Sequence, residues 1–315
     1  MKKLLVLSFA ALFIATSCKK VEDEPSGTTS AYKTMTTYMV DNNMDLPDLL
    51  MDWIVGPPDL ANVQTFIDSY DIIDIRSATD FAASRIEGAV NSPLADILTA
   101  AAGTTKPILV VCYTGQSAGH GVVALRLSGY TDAKVLKWGM SGWRADLATS
   151  WESNSGPVNG VTAIGHPNWV TTGTEPLTTF NDPVLSASGD GAAMLESRVQ
   201  VMLSNGFKGV NNIDVLDTPS NYFINNYWDQ ADVDLYGHIA EAYRIKPLSN
   251  TVGEMNNLDP SKTVVTYCWT GQTSSMVTAY LNVIGYNAVS LKFGTNGMIY
   301  TDLQSHKYVT PTVDL

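Results

Sequence analysis

The chain has 315 residues, of which 45% are hydrophobic, so it can bury a substantial core and wholesale disorder is excluded. Its 31 acidic and 19 basic side chains give a net charge of −12 at pH 7. This balance argues against a nucleic-acid-binding surface, because no basic patch is available to neutralise phosphates. The length predicts about two domains.

The first 18 residues have the organisation of an export signal. Two lysines are followed by an apolar stretch at 4–14, which is too short to span a bilayer as a mature helix. Small residues at 15–17 precede Cys18 as in a bacterial lipobox, so we expect cleavage there and lipidation of Cys18. An ordinary secretory signal with an incidental cysteine is the alternative interpretation.

The charged segment at 19–30 predicts a flexible tether between the lipid and the folded chain. It is similar to the acidic sequence that follows the lipid cysteine in surface-exported lipoproteins of the Bacteroidetes type. We therefore expect the protein in the bacterial cell envelope, anchored by lipid to the periplasmic or the surface face of the outer membrane.

Residues 31–151 alternate between predicted helices and short apolar strands. This alternation predicts an α/β domain with a parallel sheet flanked by helices. Such sheets bind ligands beyond the carboxyl ends of their strands, which is where Cys112 would lie. Helices are predicted near residues 45–54, 59–67, 79–84, 94–102 and 117–127, and strands at 71–76, 86–90, 108–111 and 133–136.

The chain contains this unit twice. Cys112 and Cys268 each end an apolar strand and precede a Thr-Gly-Gln loop and a helix, and 156 positions separate them. The same interval of 156 separates Gly129 from Gly285 downstream. A repeat of this length indicates a duplicated domain, since solenoid units are much shorter.

Residues 152–180 are rich in Gly, Pro, Asn, Ser and Thr and have no sustained period. They predict a linker between a first domain at 31–151 and a second domain at 181–315. In the second domain a helix is predicted at 192–203 and a strand near 210–216.

The two copies differ in spacing at one place. From Asp74 to the next shared motif is 12 positions, whereas from Asp214 it is 25, or 22 if Asp217 is the counterpart of Asp74. The second copy is therefore predicted to carry an insertion of 10 to 13 residues within 221–236. Its acidic and aromatic composition fits a lid over a site or, the favoured interpretation, a longer surface loop with a hydrophobic foot.

A cysteine between a strand and a helix lies where backbone N–H groups converge. These amides favour the thiolate, and they would equally stabilise the anionic sulfur of a persulfide. Gly115 and Gly271 allow the backbone to curl around the sulfur, and Ser117 and Thr273 are placed to cap the following helices. A buried structural cysteine is the alternative, which the recurrence of the same neighbours at matched offsets disfavours.

The loops Cys112-x-x-Gly-x-Ser and Cys268-x-x-Gly-x-Thr resemble the six-residue active-site loop of the rhodaneses, a family of sulfurtransferases. Segments 74–77, 85–91 and 139–143 resemble other signatures of that family. The resemblance implies two tandem rhodanese-like domains, each a parallel sheet flanked by helices, with Cys112 and Cys268 as the catalytic residues. The implied substrate-binding loops are Tyr113, Thr114, Gly115, Gln116, Ser117 and Ala118 in the first copy and Trp269, Thr270, Gly271, Gln272, Thr273 and Ser274 in the second.

The resemblance also implies ping-pong chemistry that needs no cofactor. The cysteine takes a sulfane sulfur from a donor such as thiosulfate or a persulfide and passes it to cyanide or a thiol. Family members often bind the anionic donor through Arg or Lys in the loop, but neither loop here contains a cation. Lys137 and Lys292, just past the last strand of each copy, are candidate anion contacts. The missing cations keep a second class open: a carrier or sensor of sulfane sulfur, or a partner-binding surface lipoprotein, without turnover.

A cysteine-based phosphatase or arsenate reductase is excluded, because the arginine needed six residues after the cysteine is replaced by Ala118 and Ser274. Cys112 and Cys268 each follow their own strand, so we expect two free thiols and not a disulfide. Four dispersed histidines and two separated thiols offer no metal-ligand spacing, and no nucleotide-binding glycine motif follows a strand.

Overall fold

The computed structural model describes residues 30–312 and 314–315, so the predicted signal, Cys18 and most of the tether lie outside it. No helix in the described part of the chain has both the length and the apolar character of a membrane span. The helices are α1 (Ala31–Asp41), α2 (Leu46–Leu49), α3 (Val63–Asp68), α4 (Ala78–Ala83), α5 (Ile97–Ala101), α6 (Ser117–Leu127), α7 (Met140–Trp143), α8 (Thr149–Glu152), α9 (Gly156–Asn159), α10 (Gly191–Asn205), α11 (Asn212–Asp217), α12 (Gln230–Tyr236) and α13 (Gln272–Val283). The strands are β1 (Ile54–Val55), β2 (Asp71–Asp74), β3 (Val90–Asn91), β4 (Ile108–Val111), β5 (Lys134–Leu136), β6 (Trp169–Val170), β7 (Gly209–Val210), β8 (Phe223–Asn226), β9 (His238–Ile239), β10 (Ala242–Tyr243), β11 (Val264–Tyr267) and β12 (Ala288–Leu291).

Two five-stranded parallel sheets form the framework. The strand order is β1-β5-β4-β2-β3 in the first and β7-β12-β11-β8-β10 in the second, so each strand of one sheet has a counterpart in the other. This confirms the predicted fold of two α/β domains, each with a parallel sheet flanked by helices. In addition, β6 and β9 form a short antiparallel pair, with β6 lying in the segment predicted to be a linker.

The central strands β4 and β11 are buried along their whole length, and the cysteines follow their carboxyl ends. Each of these strands has a parallel neighbour on both sides and helices over the sheet. Because both faces of β4 are therefore buried, its sequence is an uninterrupted apolar run and does not alternate with polar residues. The helix that follows β4 spans the predicted residues 117–127. Strand ends and helix starts therefore converge on each cysteine.

The strand register corrects the predicted alignment of the copies. Asp74 in β2 lies opposite Val111, and Asn226 in β8 lies opposite Tyr267, so Asn226 is the counterpart of Asp74. From Asn226 to the next shared motif is 13 positions, against 12 in the first copy. The predicted insertion within 221–236 was wrong: this segment is the equivalent of β2 and α4, and neither a lid nor an added loop.

Three further local predictions differ from the structure. The strand near 210–216 is confined to β7, because residues 212–217 form helix α11 instead. The strand at 86–90 is reduced to β3, which begins at its last residue. Asp59 starts a short 3-10 turn without a side-chain cap, and the α-helix begins only at Val63.

The two repeats lie within one compact unit, Ala31–Leu315, and share a hydrophobic core. Asp45, in the first repeat by sequence, is buried against the second: it accepts a hydrogen bond from Ser249 Oγ at 2.7 Å and another from Tyr280 Oη at 3.0 Å. At the other end of the chain, the Tyr308 ring stacks on Trp151 with 4.9 Å between ring centroids. Each repeat is therefore covered by a terminal segment of the other.

Candidate active site

Cys112 lies at the base of a tight loop between β4 and α6. Its Sγ accepts a hydrogen bond from the backbone N–H of Gly115 at 3.1 Å, and its side chain is 4% exposed. Gly115 has φ +74°, a left-handed conformation that places this N–H toward the sulfur at little cost for glycine. The structure therefore directs one backbone N–H at the sulfur, which is the geometry that suits an anion at this position.

Cys268 occupies the equivalent position but is held differently. Its Sγ accepts from the backbone N–H of Ser274 at 3.3 Å and lies 3.6 Å from the Ser274 hydroxyl, which also pairs with Ser290 Oγ at 2.8 Å. The first repeat has Ala118 where the second has Ser274, so only the Cys268 loop has this hydroxyl. Both cysteines are free thiols, which confirms the expectation that they do not form a disulfide.

The turn after the last strand of each sheet closes on the cysteine loop. Ser141 Oγ donates to the carbonyl of Tyr113 at 2.8 Å, and Asn296 Nδ2 donates to the carbonyl of Trp269 at the same distance of 2.8 Å. A Cβ at Gly139 would clash with the carbonyl oxygen of Cys112, so glycine is required at this close approach.

The predicted helix caps do not form. Ser117 is the first residue of α6 and Thr273 the second of α13, and neither helix has a side-chain cap. A capping residue would have to precede the helix, but α6 begins at Ser117 itself and α13 begins at Gln272, one residue before Thr273. In the loops, Gly115, Gln116, Ala118, Thr270, Gly271, Gln272 and Ser274 are buried, whereas Tyr113, Thr114, Ser117, Trp269 and Thr273 are partly exposed.

Each loop is completed by a glutamine from the other repeat, a contact that sequence reasoning missed. Gln116 Oε1 accepts a hydrogen bond from the backbone N–H of Phe293 at 2.8 Å and lies directly over Gly271. Gln272 Nε2 lies over Gly115 in the same way. The Gly-Gln pair that recurs in both loops was the signal available in the sequence. The sequence does not indicate, however, that the two loops face each other across the two repeats.

The residue that follows each cysteine packs on an element of its own sheet. In the first repeat, Arg76 forms a buried bidentate pair with Asp74, with Nη2 to Oδ2 at 2.7 Å, and its guanidinium lies 5.1 Å from the Tyr113 ring. In the second, Trp228 takes the place of Arg76 and lies 4.3 Å from Trp269 between ring centroids. Behind the first loop lies an ion pair that contacts Tyr113, whereas the equivalent contact behind the second loop is between two aromatic rings.

The two candidate lysines have different surroundings. Lys137 lines a cavity together with Thr270 and Thr273 of the second loop, which belongs to the other repeat. The stem of Lys292 packs against Gly209 of β7. The structure therefore brings one of the two predicted anion contacts close to a cysteine loop that is not its own.

The family can be assigned on this geometry and on similarity to known proteins. The model of the Rhodanese-like domain family matches residues 59–146 and again residues 200–298. The chain belongs to the rhodanese-like domain family. The two matches contain both cysteine loops and every strand of the two five-stranded sheets except β1.

Similarity to curated proteins covers a smaller part of this rhodanese-like chain. Thiosulfate sulfurtransferase GlpE of Pseudomonas putida is 38% identical over 77 residues, which are 24% of this chain and 69% of the relative. GlpE of Pseudomonas savastanoi is 34% identical over 77 residues, or 24% of this chain and 72% of that protein. These relatives support a function of the sulfurtransferase type.

Solved structures include similar proteins at low overall scores. A thiosulfate sulfurtransferase from Pseudomonas aeruginosa aligns with 89% of this chain and 48% of its own, at 13% identity and a TM-score of 0.30. A rhodanese-related protein from Thermoplasma volcanium aligns with 29% of this chain and 89% of its own, at 18% identity and a TM-score of 0.26.

Proposed function

We propose that the protein is a sulfurtransferase that moves a sulfane sulfur from a donor to a thiophilic acceptor through a cysteine persulfide. The observation that carries this proposal is the backbone N–H of Gly115, 3.1 Å from Cys112 Sγ. It would favour the thiolate before the reaction and the terminal persulfide anion after it. The family membership and the GlpE relatives support the same reaction class.

The proposed reaction has two displacement steps. With thiosulfate, the Cys112 or Cys268 thiolate attacks the sulfane sulfur, the new S–S bond forms, and sulfite leaves with the electrons of the broken bond. The acceptor, cyanide or a thiolate, then attacks the terminal sulfur and releases the cysteine thiolate. A low-molecular-weight persulfide would donate in the same way, with a thiolate as the leaving group.

Turnover is tested by thiocyanate formation in full-length protein supplied with cyanide and either thiosulfate or a persulfide donor. We expect turnover in the wild type and none in the Cys112→Ala/Cys268→Ala variant, with each single variant showing the contribution of the remaining thiol. Activity that persists in the double variant would refute the proposal.

A carrier without turnover is the second candidate, favoured by the absence of a cation from both loops and by exposures of only 4% and 2% for the two thiols. Mass spectrometry after incubation with the donor alone separates the two when it is set beside the thiocyanate assay: a carrier takes up one sulfur per reactive cysteine but does not form thiocyanate catalytically. An inert binding module takes up none.

We also propose that the protein is held at the bacterial envelope by a lipid on Cys18. The sequence at residues 4–18 supports this. In a bacterial host, radiolabelled fatty acid should be incorporated into the wild type and not into the Cys18→Ala variant. Equal labelling of both would refute the anchor.

A further inference from the structure

The C-terminal segment, residues 304–312 and 314–315, belongs to the second repeat by sequence but ends against the first. The N–H of Leu315 donates to the carbonyl of Trp143 at 3.1 Å. Trp143 directly follows the closing turn at 139–142, which is hydrogen-bonded to the Cys112 loop. The end of the second repeat is therefore attached beside the first thiol.

Tyr308 of this segment is bonded to the closing turn of the first repeat. Its Oη donates to the carbonyl of Ser141 at 2.7 Å. Ser141 Oγ in turn donates to the carbonyl of Tyr113 at 2.8 Å, and Tyr113 is the residue that follows Cys112. Two hydrogen bonds thus separate the Tyr308 ring from the backbone next to the first thiol.

The same residue is bonded to the closing turn of the second repeat. The backbone N–H of Tyr308 donates to Asn296 Oδ1 at 2.8 Å. Asn296 Nδ2 donates to the carbonyl of Trp269 at 2.8 Å, and Trp269 is the residue that follows Cys268. Tyr308 therefore stands at the same remove, two hydrogen bonds, from the backbone beside each cysteine.

The side chain of Tyr308 is fixed by its packing. It is 3% exposed, and its ring stacks on Trp151 at 4.9 Å and meets the Trp138 ring edge-on at 5.4 Å. Burial raises the pKa of Tyr308 to about 12, so the hydroxyl remains protonated and keeps donating at neutral pH. Linked hydrogen bonds that are shielded from water strengthen one another, so this chain of contacts is stiff.

The closing turn of the first repeat controls the direction of the amide at the sulfur. The carbonyls of Cys112 and Tyr113 accept from the N–H groups of Met140 and Ser141 at 2.8 and 3.0 Å, so two successive peptide planes of the loop are fixed by the turn. The N–H of Gly115, 3.1 Å from Cys112 Sγ, lies only two residues further along. Because a hydrogen bond weakens steeply with misalignment, a turn that moves also weakens this contact.

We propose that Tyr308 is a positioning residue for both thiols: its hydroxyl holds the turn at Ser141, and its backbone N–H holds the side chain of Asn296. This deepens the proposed sulfur-transfer function, on which its role in turnover rests. One residue near the end of the chain then sets the geometry of two cysteine loops that lie in different repeats.

The test separates the two links in full-length protein. Tyr308→Phe keeps the ring on Trp151 and the backbone N–H and removes only the hydroxyl. Site-resolved mass spectrometry follows iodoacetamide alkylation of both cysteines between about pH 5 and 10. We expect the pH of half-maximal alkylation to rise by about one unit at Cys112, a tenfold loss of thiolate at a given pH, and to stay unchanged at Cys268.

Asn296→Ala is the reciprocal variant. It removes the acceptor of the Tyr308 N–H together with the donor to the Trp269 carbonyl. We expect the pH of half-maximal alkylation to rise at Cys268 and to stay unchanged at Cys112. Neither substitution changes a charged residue, so a shift reports the setting of the thiol and not a new electrostatic field.

Tyr300→Phe is the matched control. The Tyr300 hydroxyl donates to the carbonyl of Tyr308 at 2.7 Å, the same length as the bond to Ser141, but Tyr300 belongs to neither closing turn. Its loss should lower the stability of the segment and leave both alkylation profiles unchanged. An unchanged Cys112 profile in Tyr308→Phe would overturn the proposal. An equal shift in Tyr300→Phe would also overturn it, since the whole segment would then have loosened.

Thiocyanate formation by the wild type is measured beside these profiles. If the profiles shift as expected but the wild type transfers no sulfur from thiosulfate or a persulfide, the sulfurtransferase function fails and the positioning of the thiols stands. If thiocyanate forms while Tyr308→Phe leaves the Cys112 profile in place, the function stands and the role of Tyr308 falls.

Discussion

The carboxamide oxygen of Gln116 lies over the backbone of Gly271 in the opposite repeat, where any Cβ would collide with it. The same oxygen accepts the Phe293 N–H at 2.8 Å, next to the turn that closes the Cys268 loop. Gln272 and Gly115 make the reciprocal contact. The Gly-Gln pair in each loop therefore joins the two loops, and each thiol depends on the other repeat for its setting.

The first prediction follows from this dependence. In Gln116→Ala the partly buried Phe293 N–H loses its acceptor beside the Cys268 loop, and we expect Cys268 to react with iodoacetamide about tenfold more slowly, since a donor shielded from water that loses its partner costs about 1–3 kcal/mol. Cys112, whose own amide contact is intact, should change much less. Site-resolved mass spectrometry of the alkylated peptides measures both rates. A loss confined to Cys112, or no loss at either thiol, would contradict the cross-repeat contact.

A second prediction uses the glycine. Gly271→Ala should lower the free energy of unfolding through the strain of φ +75°, roughly 1–2 kcal/mol, and through the collision with Gln116. In a Gln116→Ala background the collision with the glutamine disappears and only the close approach to the Phe293 backbone N remains, so the penalty should shrink by about 1 kcal/mol or more in a double-mutant cycle.

The control for this cycle is Gly129→Ala. Gly129 has φ +99° and open space around it, so an alanine there would be strained in its backbone but would collide with no neighbour. Its penalty should be the same with and without Gln116. Strict additivity of Gly271→Ala with Gln116→Ala, as measured by chemical denaturation, would show that the glutamine does not restrict the glycine.

A third prediction concerns the buried pair behind the first loop. Arg76→Met leaves the Asp74 carboxylate buried without its partner and should cost about 3–5 kcal/mol of unfolding free energy. Asp74→Asn/Arg76→Met removes both charges and should recover more than half of that loss, since the second repeat folds with Asn226 and Trp228 at these positions. A double variant no more stable than Arg76→Met would contradict this account.

These contacts show where sequence reasoning was sufficient. The strand before Cys112 and the helix after it were predicted at their observed bounds, because a short apolar run and a helical period each leave a local pattern. The paired cysteines, the Gly-Gln loops and the family followed from the repeat itself. The parallel sheets followed from the alternation of strands and helices.

Predictions from the sequence failed where the two repeats carry different residue types at equivalent positions, and where a contact joins residues far apart in the chain. Asn226 was missed as the counterpart of Asp74 because the acidic side chain is not kept, and Asp214 and Asp217 offered a false match on helix α11. The glutamine contacts depend on how the two repeats face one another, which no local period encodes. The pairing of Lys137 with the second loop was hidden for the same reason.

A fourth prediction concerns His120, which is fully buried and pairs through Nδ1 with Ser275 Oγ of the other repeat at 3.1 Å. Burial and the nearby Lys208 lower the pKa of His120 from 6.5 to about 3. Below pH 6.5 the unfolded chain therefore takes up a proton that the folded chain does not, so stability falls as the pH drops from 6.5 toward 3.

His120→Asn should flatten this dependence by up to roughly 1.4 kcal/mol per pH unit, the contribution of one proton. Urea unfolding between about pH 4.5 and 7.5 measures the slope for both proteins, because this window includes the ordinary imidazole pKa of 6.5 and the range below it in which stability should fall. An unchanged slope in His120→Asn would show that this imidazole does not contribute.

The proposed function requires Cys112 and Cys268 to carry sulfur as persulfides. Its most direct test is mass spectrometry of the full-length protein after incubation with a sulfane donor and rapid trapping. We predict a gain of about 32 Da on the peptide of Cys112 or Cys268, lost on addition of cyanide and absent from the matching alanine variant. A protein that reacts with no donor at either cysteine would contradict the account.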